Sequence, residues 1–187
     1  MKFYSQFGED KYLYENCDLP EIGTFVDVGA GGIHNSNSLF FEELGWKCLC
    51  VEPDERHEGL DQRKLVDHSV VGSKKAEVVF TFHRFPELSG LYHKAGGKRL
   101  QMVRLDDVLE KYDIEQIDIL SVDVEGNEIN VLNGFSFEKY KPSYLIVEYT
   151  NQFKGDEDIH TATYIESYGY KIIHKTQSNL IAERLRE

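Results

Sequence analysis

The stretch Thr24-Phe-Val-Asp-Val-Gly-Ala-Gly-Gly32 decides the fold, together with Cys48-Leu-Cys-Val-Glu-Pro53 downstream. The first reads as a buried strand running into a glycine-rich turn. The second is another apolar strand, ending in the carboxylate of Glu52. Glycines after the first strand of a nucleotide-binding sheet let a ligand approach the backbone, and an acid after the second can accept hydrogen bonds from ribose hydroxyls. Pro53 ends strand pairing and leaves that carboxylate free. Asp27 refines the expectation. A pyrophosphate-binding turn offers N–H groups to an anion, and a carboxylate beside it repels phosphates. S-adenosylmethionine carries a sulfonium and an ammonium, so an acidic turn built from Asp27, Gly29 and Gly31 suits that cofactor better than a dinucleotide.

Working outward, strand and helix patterns alternate, as in a parallel sheet with crossover helices. The apolar runs predict strands at Thr24–Val28, Lys47–Val51, Leu65–Val71, Glu77–Phe82, Ile117–Val122 and Tyr144–Tyr149. Helices are predicted at Glu9–Asn16, Ser36–Leu44, Arg56–Arg63, Leu105–Tyr112 and Glu128–Asn133, with glycines and prolines as punctuation. The tail changes rhythm: a helix over Asp158–Ser167 precedes two short strands, Tyr170–Lys175 and Asn179–Glu183, close enough to form a hairpin. The expectation is an α/β, Rossmann-like fold in one domain over residues 1–187. Its mostly parallel twisted sheet is closed by a C-terminal antiparallel hairpin.

Composition narrows the partners. The chain has 33 acidic and 21 basic residues, a formal net charge of −12. That disfavours nucleic acid, whose phosphates demand a basic face. No apolar run approaches the roughly 18 residues that span a bilayer, and the first twenty residues lack the apolar stretch of a signal peptide. Cys17, Cys48 and Cys50 form neither a disulfide framework nor a zinc pattern. A cytoplasmic protein is expected, without a membrane or nucleic-acid partner.

The order of these segments resembles the FkbM family of S-adenosylmethionine-dependent methyltransferases over most of the chain. The residues that carry the resemblance are Tyr4-Ser-Gln-Phe-Gly-Glu-Asp10, Phe25-Val-Asp-Val-Gly-Ala30 with Ser36-Asn37, and Leu44-Gly-Trp-Lys47 through Val51-Glu-Pro53. The most specific block is Ile117-Asp-Ile-Leu-Ser-Val-Asp-Val-Glu-Gly-Asn-Glu128, followed by Val131-Leu-Asn-Gly-Phe135 and Lys139-Tyr-Lys-Pro142. The chain departs from the family at Gly31-Gly32, where an Asn-Asp-Gly-like turn is usual. The resemblance implies a Rossmann-like class I methyltransferase fold and O-methylation of small acceptors, often sugars or polyketide-type hydroxyls. It also implies that the segment holding Gln6 and Asp10 folds over the cofactor. Cofactor contacts are expected at Gln6, Asp10, Asp27, Gly29, Ala30, Gly31, Asn37, Glu52, Pro53 and Asp123. Ser69, at the end of the third predicted strand, is the candidate for the adenine.

Chemistry is expected at the carboxyl ends of the middle strands, where open α/β sheets bind ligands. Asp123 and Glu125 follow one predicted strand and Glu148 ends the next. Methyl transfer is an in-line displacement, so alignment supplies much of the acceleration. A carboxylate whose pKa is raised by its neighbours can take the acceptor's hydroxyl proton. Asp123 or Glu125 is the expected base, with Glu148 in support. Three carboxylates could also hold a divalent metal such as Mg²⁺, which the spacing does not require. Between the strand at Glu77–Phe82 and Met102, residues 83–99 read as a basic loop. Arg84, Lys94, Lys98 and Arg99 there suit an anionic or sugar-containing acceptor, with Phe85 and Tyr92 to stack on a ring. Two alternatives remain on the residues alone. An NAD-linked oxidoreductase is disfavoured by Asp27 and by His34, which stands at the third glycine position of a G-x-G-x-x-G turn. A non-catalytic cofactor-binding module is the other.

Overall fold

The computed structural model describes residues 1–91, 97–149 and 159–185. Ten strands and six helices are defined among them. The strands are β1 Thr24–Val28, β2 Lys47–Val51, β3 Leu65–Asp67, β4 Val70–Val71, β5 Ala76–Phe80, β6 Lys98–Val103, β7 Ile119–Val122, β8 Tyr144–Glu148, β9 Tyr170–Lys175 and β10 Asn179–Arg184. The helices are α1 Glu9–Asn16, α2 Leu39–Glu43, α3 Leu105–Lys111, α4 Glu128–Leu132, α5 Phe137–Tyr140 and α6 Ile159–Ser167.

Seven strands form the main sheet in the order β3-β2-β1-β7-β8-β10-β9. The first five run parallel, while β10 pairs antiparallel with both β8 and β9. The fold is therefore mixed α/β with a mostly parallel central sheet. Chain order reverses between β1 and β7, and a cleft opens outside strand ends at such a point.

Alternation along each strand splits the apolar residues between two faces. Phe25, Cys48, Ile119, Tyr144, Ile146 and Ile181 join Leu13 of α1 and Phe40 and Phe41 of α2 in one buried cluster. Val26, Val28, Leu49, Val51, Leu120, Val122, Leu145 and Val147 join residues of α3, α4 and α6 in the other. Helices on both faces leave β1, β7 and β8 buried along almost their whole length, which fixes the backbone at their carboxyl ends.

Three expectations are corrected. The run Leu65–Val71 is not one strand: the Ser69 N–H donates to Asp67 Oδ1 at 2.8 Å, and this local turn releases β4 to a second sheet of order β4-β6-β5. The helix at Arg56–Arg63 is only a 3₁₀ turn over Leu60–Gln62, preceded by Gly59 at φ 73°. The basic loop is in part a strand. Residues 98–103 form β6, antiparallel to β5, and Arg99 Nη1 pairs across it with Glu77 Oε1 at 2.6 Å. Tyr92, His93, Lys94 and Gly96 lie outside the described residues.

Candidate active site

A cleft of about 230 Å³ opens at the carboxyl ends of β1, β2 and β7. Its floor is the glycine turn. Gly29 sits at φ 77°, and a Cβ there would lie 1.6 Å from the Asp123 carbonyl oxygen. No side chain fits between these two backbones, so Gly29 lets β1 and the segment after β7 close on each other. Gly31 differs. At φ 57° its missing Cβ would touch the His57 ring at an ordinary van der Waals distance, Nδ1 at 3.6 Å. Gly31 lines the cleft with bare backbone that a ligand could reach.

Glu52 forms one wall. The Gly31 N–H donates to its Oε2 at 3.2 Å and the Asp54 N–H to its Oε1 at 2.8 Å. Burial pushes this carboxyl up to about 7, against the two backbone donors. Pro53 lines the same wall, with His57 and Glu58 beyond it.

Asp123, Val124, Glu125 and Asn127 form the opposite wall. Glu128 closes their turn by accepting from the N–H groups of Val124 (3.0 Å) and Gly126 (2.9 Å). Glu125 takes a left-handed backbone, φ 59°, and burial followed by the Glu128 charge pushes its carboxyl up to about 7. Asp123 is hydrogen-bonded to Glu148; burial, then neighbouring carboxylates, raises both. Two carboxyl groups in that contact cannot both be ionised, so the pair retains a proton.

Gln6 reaches the cleft from the N-terminal segment, which is tied down by a bridge from Ser5 to Asn35. Val70, Val71, Phe80 and Leu91 give an apolar flank from the smaller sheet and the loop after it. That loop is clasped to the turn after β2. Buried Asp54 accepts from Arg56 Nη2 at 2.6 Å and Ser89 Oγ at 2.7 Å, and Arg56 also donates to the His83 carbonyl at 2.6 Å.

The cleft therefore gathers Gln6, Gly29, Ala30, Gly31, Glu52, Pro53, Asp123 and Glu125 from the expected set, and five of that set lie outside its lining. Asp27 is buried beneath the turn, accepting from Ser38 Oγ at 2.6 Å. Ser38 in turn accepts from Arg63 Nη2 at 2.8 Å. Burial raises Asp27, and its carboxyl holds the segment 36–38 rather than facing the cleft. Asn37 donates to Ser121 Oγ at 3.1 Å. Asp10 accepts from the N–H of Tyr4 at 2.6 Å and from Ser5 Oγ at 2.6 Å. Ser69 belongs to the turn between β3 and β4, and Glu148 lies behind Asp123. His57 and Phe80 line the cleft without having been expected there, and Glu87 and the segment Ser89–Leu91, part of the loop read as meeting the acceptor, line it too. Among the described residues, Arg84, Lys98 and Arg99 are not in the lining, and no group of three or more His, Cys, Asp or Glu side chains is disposed to hold a metal ion.

A mostly parallel sheet with an acid-walled cleft at its crossover is the arrangement in which open α/β sheets bind ligands. The family follows from sequence: the profile described as Methyltransferase FkbM domain matches residues 22–172. The chain belongs to the FkbM methyltransferase family. No curated protein matches the chain. No helix among the described residues is long and apolar enough to cross a membrane.

Proposed function

We propose that the protein is an S-adenosylmethionine-dependent O-methyltransferase of the Rossmann-like class I type, acting on a hydroxyl of a small, sugar-type acceptor. The observation that carries the cofactor assignment is the charge of the cleft. Glu52, Glu58, Glu87, Asp123 and Glu125 line it, with no lysine or arginine among its described residues. That donor set suits a cationic ligand and opposes a pyrophosphate. The same observation disfavours the NAD-linked alternative. Membership of a methyltransferase family supports the reaction class.

Glu52, held by Gly31 and Asp54, keeps lone pairs for the two ribose hydroxyls. Val70, Val71, Phe80 and Leu91 offer apolar surface to a purine, and Gln6 closes the cleft above the glycine turn. The bound cofactor supplies an electrophilic methyl group on a sulfonium. Glu125 is the base: its carboxylate accepts the acceptor's hydroxyl proton as the oxygen takes the methyl group. Asp123 and Glu148, sharing a proton, orient that hydroxyl from behind.

Calorimetry with S-adenosylmethionine, S-adenosylhomocysteine and NAD tests the assignment. Micromolar binding of the first two alone is expected, and Glu52→Ala weakens it at least about tenfold by removing the ribose acceptor. Binding of NAD instead, or affinity unchanged in the variant, rejects it.

A further inference from the structure

His57 enters the cleft between the glycine turn and the Glu52 carboxylate. Its side chain is only 8% exposed, and Nε2 stands 3.8 Å from Glu52 Oε1. Nδ1 lies against the glycine turn, 3.6 Å from where a Cβ on Gly31 would stand. The backbone around it is fastened: the His57 N–H donates to the Asp54 carbonyl at 3.5 Å, and the His57 carbonyl accepts from Leu60 at 3.3 Å. The ring is thereby confined to the wall that carries Glu52.

We propose that His57 is a positioning residue for the cofactor, its ring N–H holding the Glu52 carboxylate toward the ribose diol. This rests on the reading of the cleft as an S-adenosyl site. Bringing Nε2 into hydrogen-bond range of Oε1 needs a ring movement of less than about 1 Å, and a ligand packing against the ring provides the push. Backbone N–H groups of Gly31 and Asp54 hold Glu52 from the chain side. A third donor on the carboxylate, the second on Oε1, leaves it fewer rotamers and keeps it ionised.

The charges around His57 suit that task. Burial holds the imidazole below its usual range, and Arg56 pushes the same way. Asp54, from the turn after β2, and Glu87, from the loop after β5, act against them. Glu52 itself is raised by burial and by the Asp54 and Asp27 charges. Around pH 7 the ring is neutral. It donates an N–H without adding a positive charge that would repel a sulfonium.

The test is calorimetric titration with S-adenosylhomocysteine from pH 6 to 8.5 on the parent, His57→Phe and His57→Asn. The parent's affinity falls as the pH drops through about 7, where Glu52 takes up a proton. H57F fills the same space without a donor. Its affinity at pH 7.5 is expected to fall about tenfold, with the midpoint of its pH profile displaced upward. H57N retains an N–H donor and recovers most of both. Melting temperatures of the ligand-free variants identify a misfolded protein, and His57→Leu replaces H57F if the larger ring does not fold. Equal behaviour of the donor-less and asparagine variants overturns the proposal, as does a donor-less variant with the parent's pH profile. Failure of the parent itself to bind S-adenosylhomocysteine overturns the cofactor reading and this one with it.

Discussion

Glu125 joins two costly features at one position. Its backbone is left-handed at φ 59°, a conformation that costs a non-glycine residue on the order of 1–3 kcal/mol. Its carboxyl is pushed up to about 7 by burial and by Glu128. Such strain persists where the surroundings enforce it, and here Glu128 does so through its bonds to Val124 and Gly126. If Glu125 is the base, single-turnover methyl transfer rises tenfold per pH unit below about 7 and levels off above it. Glu125→Gln then lowers the plateau by about 10²–10⁴-fold, the usual contribution of a positioned base, and abolishes the pH dependence. S-adenosylhomocysteine affinity stays within a few fold. Asp123→Asn lowers the rate but keeps the profile, because the titrating group is untouched. A parent-like profile in E125Q assigns the base elsewhere. At this scale the sequence was legible where a residue ends a strand. Glu52 and Asp123 sit just past the last residues of β2 and β7, and strand direction alone carries them to the cleft. Asp27 is one residue too early for that. It precedes Val28 on the face shared with Phe25, and alternation sends its side chain under the turn to Ser38. His57 was illegible for the opposite reason, since its position depends on an irregular turn without periodicity.

At the scale of elements, the N-terminal segment joins the cleft to the far edge of the sheet. Glu9, at the start of α1 and fully buried, accepts from Thr176 Oγ1 and Asn179 Nδ2, each at 2.9 Å, and from the Phe7 N–H at 3.0 Å. Three residues earlier, Gln6 lines the cleft. Structure and binding are thus separable within one short segment. Glu9→Ala leaves the buried Asn179 Nδ2 and the half-buried Phe7 N–H without their acceptor and is expected to cost about 2–4 kcal/mol, read as a fall in melting temperature. Gln6→Ala leaves melting unchanged and weakens S-adenosylhomocysteine binding several fold. A loss of stability in Q6A equal to that in E9A would make the whole segment structural. Helix α1 was legible to its ends because Gly8 and the acids Glu9 and Asp10 mark its start. Strands β1, β2 and β9 were legible because their apolar runs stop at glycine, proline or a polar turn. Strand β6 was not. Only Met102 of its six residues is buried, so Lys98-Arg-Leu-Gln lacks the alternation that announces a strand. Its partner β5 supplies the missing order through a ladder that no local pattern encodes. The Arg56–Arg63 segment has helical composition, but the Arg56 N–H is taken by Asp54 Oδ1 at 3.2 Å and Gly59 breaks the turn. Side-chain competition of this kind is visible only once the neighbours are in place.

For the molecule as a whole, a net charge of −12 coexists with a cluster of acids at one end of the sheet. Glu52 and Glu125 are each pushed up to about 7 by burial, and burial also raises Asp123 and Glu148. A carboxyl whose folded pKa lies above its unfolded value stabilises the fold fully below the unfolded pKa. That contribution is lost as the pH rises through the folded one. For Glu52 and Glu125 the window runs from the ordinary glutamate value of 4.5 to about 7. Asp54 and Asp67 behave oppositely. Against burial, Arg56 and Ser89 hold Asp54 low, and Lys111 and Ser69 hold Asp67 low, so their contributions disappear only in acid, as the pH falls below the usual aspartate range. His57, held low by burial, favours the fold as the pH rises through 6.5, but one histidine opposes four carboxyls. The ligand-free protein is therefore expected to melt highest near pH 5 and several degrees lower by pH 8. Self-repulsion of the acidic surface acts in the same direction, and high salt screens that part alone. A cationic ligand seated among the same carboxylates offsets their mutual repulsion. Saturating S-adenosylmethionine should accordingly raise the melting temperature more at pH 8 than at pH 5.5, and the double variant Glu52→Gln, Glu125→Gln should flatten the ligand-free profile at high salt. A melting temperature that climbs from pH 5.5 to 8 in the ligand-free parent would mean that the cleft acids are ionised without penalty, and the cleft would then lack the raised carboxyl that takes the acceptor's proton.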